Sequence, residues 1–239
     1  MTAAANMLNL IRKLFSNTPS TTSNSMKSQL LIDNQWVNAE NNASFERRHP
    51  VDNALVTEAS SASVADATKS AESAHAAFKA WRNSPPSERR RLLLKTADIL
   101  ESMTPQFIEV MAAEVGASPL WAGFNVHLAA NVFREAASMA TQIQGETIPT
   151  DKPGALSMTL RQPVGVILSI VPWNGPVVLA ARAIAYPIVC GNTVVFRASE
   201  SSPKTHMLVA EALRTSDHLA PLGGTRLAAV LPGSGLGTA

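Results

Sequence analysis

At 239 residues the chain is long enough to form one large or two modest domains around a substantial core. Apolar residues make up 46% and charged residues 16%, a soluble globular balance, and a net charge of +2 is too small for a nucleic-acid footprint or a polybasic membrane patch. A single cysteine, Cys190, excludes an internal disulfide framework and a CxxC metal site and points to a reducing compartment. The longest apolar runs, such as 164–171, are strand-sized and far short of the ~20 residues a membrane-spanning helix needs.

In chain order, residues 1–25 contain no acid, set Arg12 and Lys13 inside the amphipathic MLNLIRKLF, and then crowd Ser and Thr. Two readings stand for this stretch: a mitochondrial transit segment, or a disordered tail ahead of a start at Met26 in a cytoplasmic protein. The second is favoured, because only two basic residues carry the first. Leu30 to Ile32 and Trp36-Val37 read as a strand pair around an Asp33-Asn34 turn. Pro50, Asp52 and Asn53 mark another turn, with a short strand following at Leu55-Val56. The period then becomes helical. Val64, Ala67, Ala71, Ala74, Phe78 and Trp81 fall on one face, and Ser63 with Asp66 forms a capping box. Ser84-Pro85-Pro86 stops this helix and Ser87 is placed to cap the next, lined by Leu93, Ala97, Leu100 and Met103. Thr104-Pro105 reads as an N-cap with proline at the first helical position, ended by Gly116. Ser118-Pro119 repeats the signal for a helix running to about Gln144. The polar residues of these helices read as solvated faces without chemistry.

Beyond Gly145 the pattern changes. Residues 159–162 read as extended, ending at Pro163. Residues 164–171 form a nearly unbroken apolar run, the mark of a strand buried on both faces of a parallel sheet. Pro172-Trp173-Asn174-Gly175-Pro176 breaks it, a helix follows through Ala185, and Cys190-Gly191-Asn192 turns the chain into a second strand at 193–196. Arg197-Ala198-Ser199-Glu200 comes next, and Pro203 opens another helix. Strand, helix, strand, helix is the unit of a doubly wound α/β sheet, whose ligands sit outside the strands' carboxyl ends. Trp173-Asn174 and the 197–200 cluster both occupy such ends.

Pro172-Trp173-Asn174, the Gly191-Asn192-Thr193-Val194-Val195 run and Glu200, in this order and spacing, resemble the cofactor-binding core of the aldehyde dehydrogenase superfamily. The likeness runs from about Met26 to Arg214. Around 182–187 and 138–154 it is closest to the salicylaldehyde and vanillin dehydrogenase branch. The resemblance implies an α/β fold: the N-terminal part of the aldehyde dehydrogenase fold, an incomplete doubly wound, Rossmann-like parallel sheet with packing helices. It implies NAD-dependent oxidation of an aldehyde, here an aromatic one, to the acid, and a homo-oligomer for the full-length family. In that family Asn174 would be catalytic, its amide holding the oxyanion of the tetrahedral intermediate, a donor worth about 3–4 kcal/mol in the transition state. The bland alternative for Asn174 is an Asn that satisfies loop backbone groups beside Pro and Gly. Ile170, Val171, Pro172, Trp173 and Asn174 would line the cofactor cleft, the first four being core residues under either reading. Glu200 would accept hydrogen bonds from the adenosine ribose, favouring NAD over NADP by repelling a 2′-phosphate; its bland reading is an acid entering the helix at Pro203. Arg197 would bind cofactor where the family usually carries Lys; the charge is kept while the geometry is not.

Other signals are set aside. Cys190 enters a strand and reads as a buried structural thiol rather than a nucleophile. Gly233 to Gly237 has too little chain after it to supply a helix N-terminus for a phosphate. The five histidines show no metal-ligand spacing. Residues 215–239 depart from the family pattern, and the family's glycine-rich pyrophosphate segment, glutamate base and catalytic cysteine are not among the 239 residues. The expectation is a truncated reading frame whose product is inactive alone. A degraded paralogue and a functional short product stay open, the latter as a non-catalytic fragment associating with full-length relatives.

Overall fold

The computed structural model describes residues 25–218 and a strand at 227–232. The basic stretch at 1–24 and the 233–237 glycine cluster lie outside the described residues. The described chain opens with β1 (Met26–Ser28), β2 (Leu30–Ile32), β3 (Gln35–Val37), β4 (Ser44–Arg48) and β5 (Leu55–Ser60). β2 and β3 form the expected hairpin, with Leu31 opposite Trp36. Asp33 and Asn34 both adopt positive φ, 51° and 62°, which is the twist a two-residue hairpin turn requires and which these short polar side chains tolerate. β5 is flanked by β1, parallel, and β4, antiparallel. β4 went unread in the sequence because its SFERR pattern carries one apolar residue.

Four helices follow: α1 (Val64–Trp81), α2 (Pro86–Ser102), α3 (Thr104–Val115) and α4 (Pro119–Ser138), the last running into a 3-10 turn at Met139–Thr141. The capping box is formed: Ser63 Oγ accepts from the Asp66 amide, and the Asp66 carboxylate accepts from the Ser63 amide. The buried face of α1 differs from the expected one. Val64 and Ala71 are exposed, while Asp66, Ser70, Ser73, Ala74, Phe78 and Trp81 are buried. Alanine occurs all round this helix and so does not mark a face, and Ser70 enters the interior by donating its hydroxyl to the Asp66 carbonyl. Two caps are also corrected. α2 begins after Pro85 with no side-chain cap, leaving Ser87 inside the helix, and Thr104 lies within α3 and donates to the Glu101 carbonyl. Gly116 ends α3 in the left-handed conformation, and Ser118 Oγ caps α4 by accepting from the Trp121 amide.

After a two-residue pairing of β6 (Thr147–Ile148) with β7 (Ser157–Met158), the chain enters β8 (Val166–Ile170), α5 (Pro176–Val189), β9 (Thr193–Ala198), α6 (Pro203–His218) and β10 (Leu227–Pro232). Residues 159–162 lie just beyond β7 and outside any strand. β8, β9 and β10 are parallel neighbours in the order β10-β9-β8, the core of the incomplete doubly wound sheet. β10 falls within the stretch expected to depart from the pattern. Side chains alternate across this sheet. Ile167, Val171, Val194, Phe196 and Ala198 join the main core, which α2, α4, α5 and α6 build, and Val166 and Val195 pack on Ala74 of α1 on the opposite face. The Trp81 indole donates to the Ile188 carbonyl and ties α1 to the end of α5. No helix of the described residues is long and apolar enough to cross a membrane.

Candidate active site at the strand carboxyl ends

α1 covers its face of the sheet only at the strands' amino-terminal half. Thr193 Oγ1 donates to the Ala74 carbonyl at 2.9 Å, and Val166, one strand over in the same register row, packs on the same turn of helix. Past that point β8 is uncovered on this face among the described residues. Leu168 and Ile170 are each 63% exposed, and the register sets Ile170 beside Arg197. The expectation that β8 is buried on both faces is therefore corrected: one face is core, and the carboxyl half of the other is an apolar ledge. Of the four cleft residues expected to be core, only Val171 is buried; Ile170, Pro172 and Trp173 are exposed.

Asn174 stands at the lip of this ledge, exposed, in the bend between β8 and α5. Its side chain makes no hydrogen bond among the described residues, so it is not satisfying the loop backbone. The bend is held from elsewhere. Gly175 is the N-cap of α5 and offers no side chain, and Asn125 of α4 reaches across so that its Oδ1 lies 3.4 Å from the Val178 amide in the first turn. The open N-terminus of α5 adds a partial positive charge next to Asn174, favourable to a developing oxyanion.

On the neighbouring strand, Arg197 and Glu200 form an ion pair at 3.7 Å, the guanidinium mostly covered and the carboxylate about half exposed. Ser199 between them is buried, and its amide donates to Nδ1 of His206 at 3.0 Å. The next turn is anchored by Glu114, fully buried on α3. Its carboxylate accepts from the Lys204 and Thr205 amides, from Thr205 Oγ1 and from Thr57 Oγ1. Burial pushes the Glu114 carboxyl up, and these four donors oppose the shift. No local pattern singles out Glu114, His206 or Asn125, because their partners lie on other elements or become buried only in the fold. Asn192 was visible in its Gly-Asn-Thr run, and the fold shows its work. Its Oδ1 accepts from the Val164 and Gly165 amides and its Nδ2 donates to the Pro187 carbonyl, which fixes the entry to β8.

Cys190 lies at the other end of the sheet. It caps the C-terminus of α5 ahead of β9, whereas Asn174 follows β8, and parallel strands of this length separate the two by on the order of 15 Å. The thiol is exposed, which corrects the expectation of a buried one, because the Cys190-Gly191 turn projects past the helix end. Partial covering raises its pKa, with Arg89 acting in the opposite sense. Gly191 has φ 83°, a conformation that strains any residue with a side chain, and a Cβ there would also displace the flexible end of Arg89, 2.7 Å away. No grouping of His, Cys, Asp and Glu able to hold a metal occurs among the described residues.

The sequence pattern of the aldehyde dehydrogenase family matches residues 36–223. The chain belongs to the aldehyde dehydrogenase family. It is 67% identical over 189 residues to a salicylaldehyde dehydrogenase of Pseudomonas putida, an alignment covering 79% of this chain and 39% of that protein. A vanillin dehydrogenase of Pseudomonas fluorescens is 52% identical over 185 residues, covering 77% and 38%. The crystal structure of a Pseudomonas putida salicylaldehyde dehydrogenase complexed with salicylaldehyde superposes with a TM-score of 0.84 at 62% identity, covering 88% of this chain and 42% of that one. PnpE in complex with nicotinamide adenine dinucleotide gives 0.82 at 31%, with the same coverage. The chain thus spans about two fifths of the length of the relatives it matches, and its likeness is to their N-terminal portion.

Proposed function

We propose that this chain supplies the oxyanion-holding asparagine and the cofactor ledge of an NAD-dependent dehydrogenase of aromatic aldehydes. The observation that carries this reading is the convergence, at the open carboxyl end of β8 and β9, of an uncommitted amide, Asn174, an apolar ledge of Ile170 and Trp173, and the Arg197–Glu200 pair. A dinucleotide has matching chemistry. Its flat rings and sugars suit an exposed apolar ledge, and its ribose hydroxyls are donors suited to a carboxylate with exposed lone pairs. When bound, NAD accepts the hydride.

The chain's own residues bind and orient. Glu200 accepts from the ribose hydroxyls and repels a 2′-phosphate, which selects NAD over NADP. Arg197 holds that carboxylate in place from beneath. Asn174 donates its amide to the aldehyde oxygen as negative charge develops there. The aromatic substrate class rests on the salicylaldehyde and vanillin dehydrogenases among the relatives. The 239-residue polypeptide by itself offers no thiol on this side of the sheet, so we infer that it does not turn over alone. Glu200→Gln, in a complete enzyme carrying this segment, tests the cofactor assignment. NAD/NADP selectivity in kcat/KM is expected to fall by about tenfold, the value of roughly one lost charge interaction. Unchanged selectivity would remove Glu200 from the role.

A further inference from the structure

We propose that His206 is a positioning residue that fixes the ribose-reading loop after β9, through Nδ1 of its ring and through no contact with ligand. The proposal rests on the cofactor reading of Glu200. Two observations carry it. The imidazole is wholly buried on the first turn of α6, and its Nδ1 accepts from the Ser199 amide at 3.0 Å, the residue between Ala198 at the end of β9 and Glu200. The ring stands edge-on to Phe196 of β9, with centroids 5.3 Å apart at 84°, which fixes its plane against the same strand. Nε2 is buried and has no hydrogen-bond partner among the described residues.

The tautomer follows from the bond. An Nδ1 that accepts from an amide carries no proton, so the proton sits on Nε2. Burial disfavours the imidazolium as well. A single neutral ring therefore ties the first turn of α6 to the strand end that carries Glu200. Ser199 Oγ accepts from the Ser201 amide, and the Ser202 amide donates to the Ser199 carbonyl, so the whole 199–202 turn is referenced to the residue that His206 holds. The buried neutral ring adds no charge beside the Arg197–Glu200 pair and makes no contact with the Glu200 side chain.

The test uses two substitutions that place an amide oxygen differently. Asn carries its acceptor where Nδ1 was, and Gln carries its polar end where Nε2 was. In the 239-residue chain, hydrogen exchange of the Ser199 amide is expected to stay slow in His206→Asn and to quicken roughly tenfold or more in His206→Gln, as one buried hydrogen bond is lost. In a complete enzyme carrying the segment, KM for NAD should rise about tenfold in His206→Gln with kcat little changed, and should recover in His206→Asn. Equal Ser199 exchange in the two variants would overturn the brace, as would equal KM values for NAD. Glu200→Gln, run beside them, separates the two ideas. If that change leaves NAD binding unmoved, the ribose assignment fails, and the exchange arm still decides His206.

Discussion

At the scale of single residues, the buried polar groups set how this protein responds to acid. His206 has its pKa lowered to about 3 from 6.5 by burial, so the folded chain keeps it neutral while the unfolded chain protonates it below pH 6.5. The sign is that of a depressed pKa: the stability is complete above pH 6.5 and drains away as the pH falls toward 3. Each unit of that window costs up to about 1.4 kcal/mol. Unfolding in urea between pH 7 and pH 4 should show this slope in the parent chain and a shallower one in His206→Asn; equal slopes would place the acid sensitivity elsewhere. Asp66 acts in the same direction at lower pH. Burial alone would raise its pKa, but the Ser63 and Glu40 amides and the Ser63 hydroxyl lower it overall, so its contribution is lost on acidification below the ordinary carboxylate range. Replacing it with Ala should cost about 1 kcal/mol at pH 7, the usual worth of a helix cap, read from the urea midpoint.

At the scale of elements, the decisive feature is how little of the sheet α1 covers. It guards the amino-terminal half of β8 and β9 and leaves Leu168, Ile170 and Arg197 at an open edge. A residue there can be changed without disturbing the core. Ile170→Asn is expected to leave the thermal midpoint nearly unmoved while raising KM for NAD in a complete enzyme. Val194→Ala, buried on the other face of β9, should cost roughly 1–3 kcal/mol. A large loss of stability in Ile170→Asn would show that the ledge is core after all.

Much of this was legible in the sequence. The Asp33-Asn34 hairpin, the Ser63 capping box, the Gly116 stop and the parallel pairing of the two apolar strands all follow from local chemistry, and local chemistry is what a sequence displays. The open face of β8 was not legible. Its run of apolar residues is the same whether a neighbour covers the second face or a ligand does, and only the length and placement of α1 distinguish the two. Glu114 escaped for a related reason. It is one acid among several on an amphipathic helix, and the amides that give it a role lie 90 and 91 positions along the chain. Asn174 and Glu200 were nominated by their place at strand ends and by the family resemblance, and the fold brings their two loops together on one edge.

At the scale of the whole molecule, the chain under the proposed function is one side of a site. The sheet's β8 side carries Asn174 and the ledge, and the only thiol lies at the opposite end of the strands. The purified 239-residue polypeptide is accordingly expected to form no NADH above background from benzaldehyde-type or short aliphatic aldehydes. Turnover that disappears in Cys190→Ala would reverse this. The most direct test of the central claim, that Asn174 holds the developing oxyanion, is kcat for an aromatic aldehyde in a complete enzyme carrying residues 26–214, with and without Asn174→Ala. We expect kcat to fall by about 100- to 1,000-fold while KM for NAD stays within about twofold, as removal of one preorganised donor does. A kcat within about twofold of the parent would contradict the account, because a donor used in the transition state cannot be removed at so little cost.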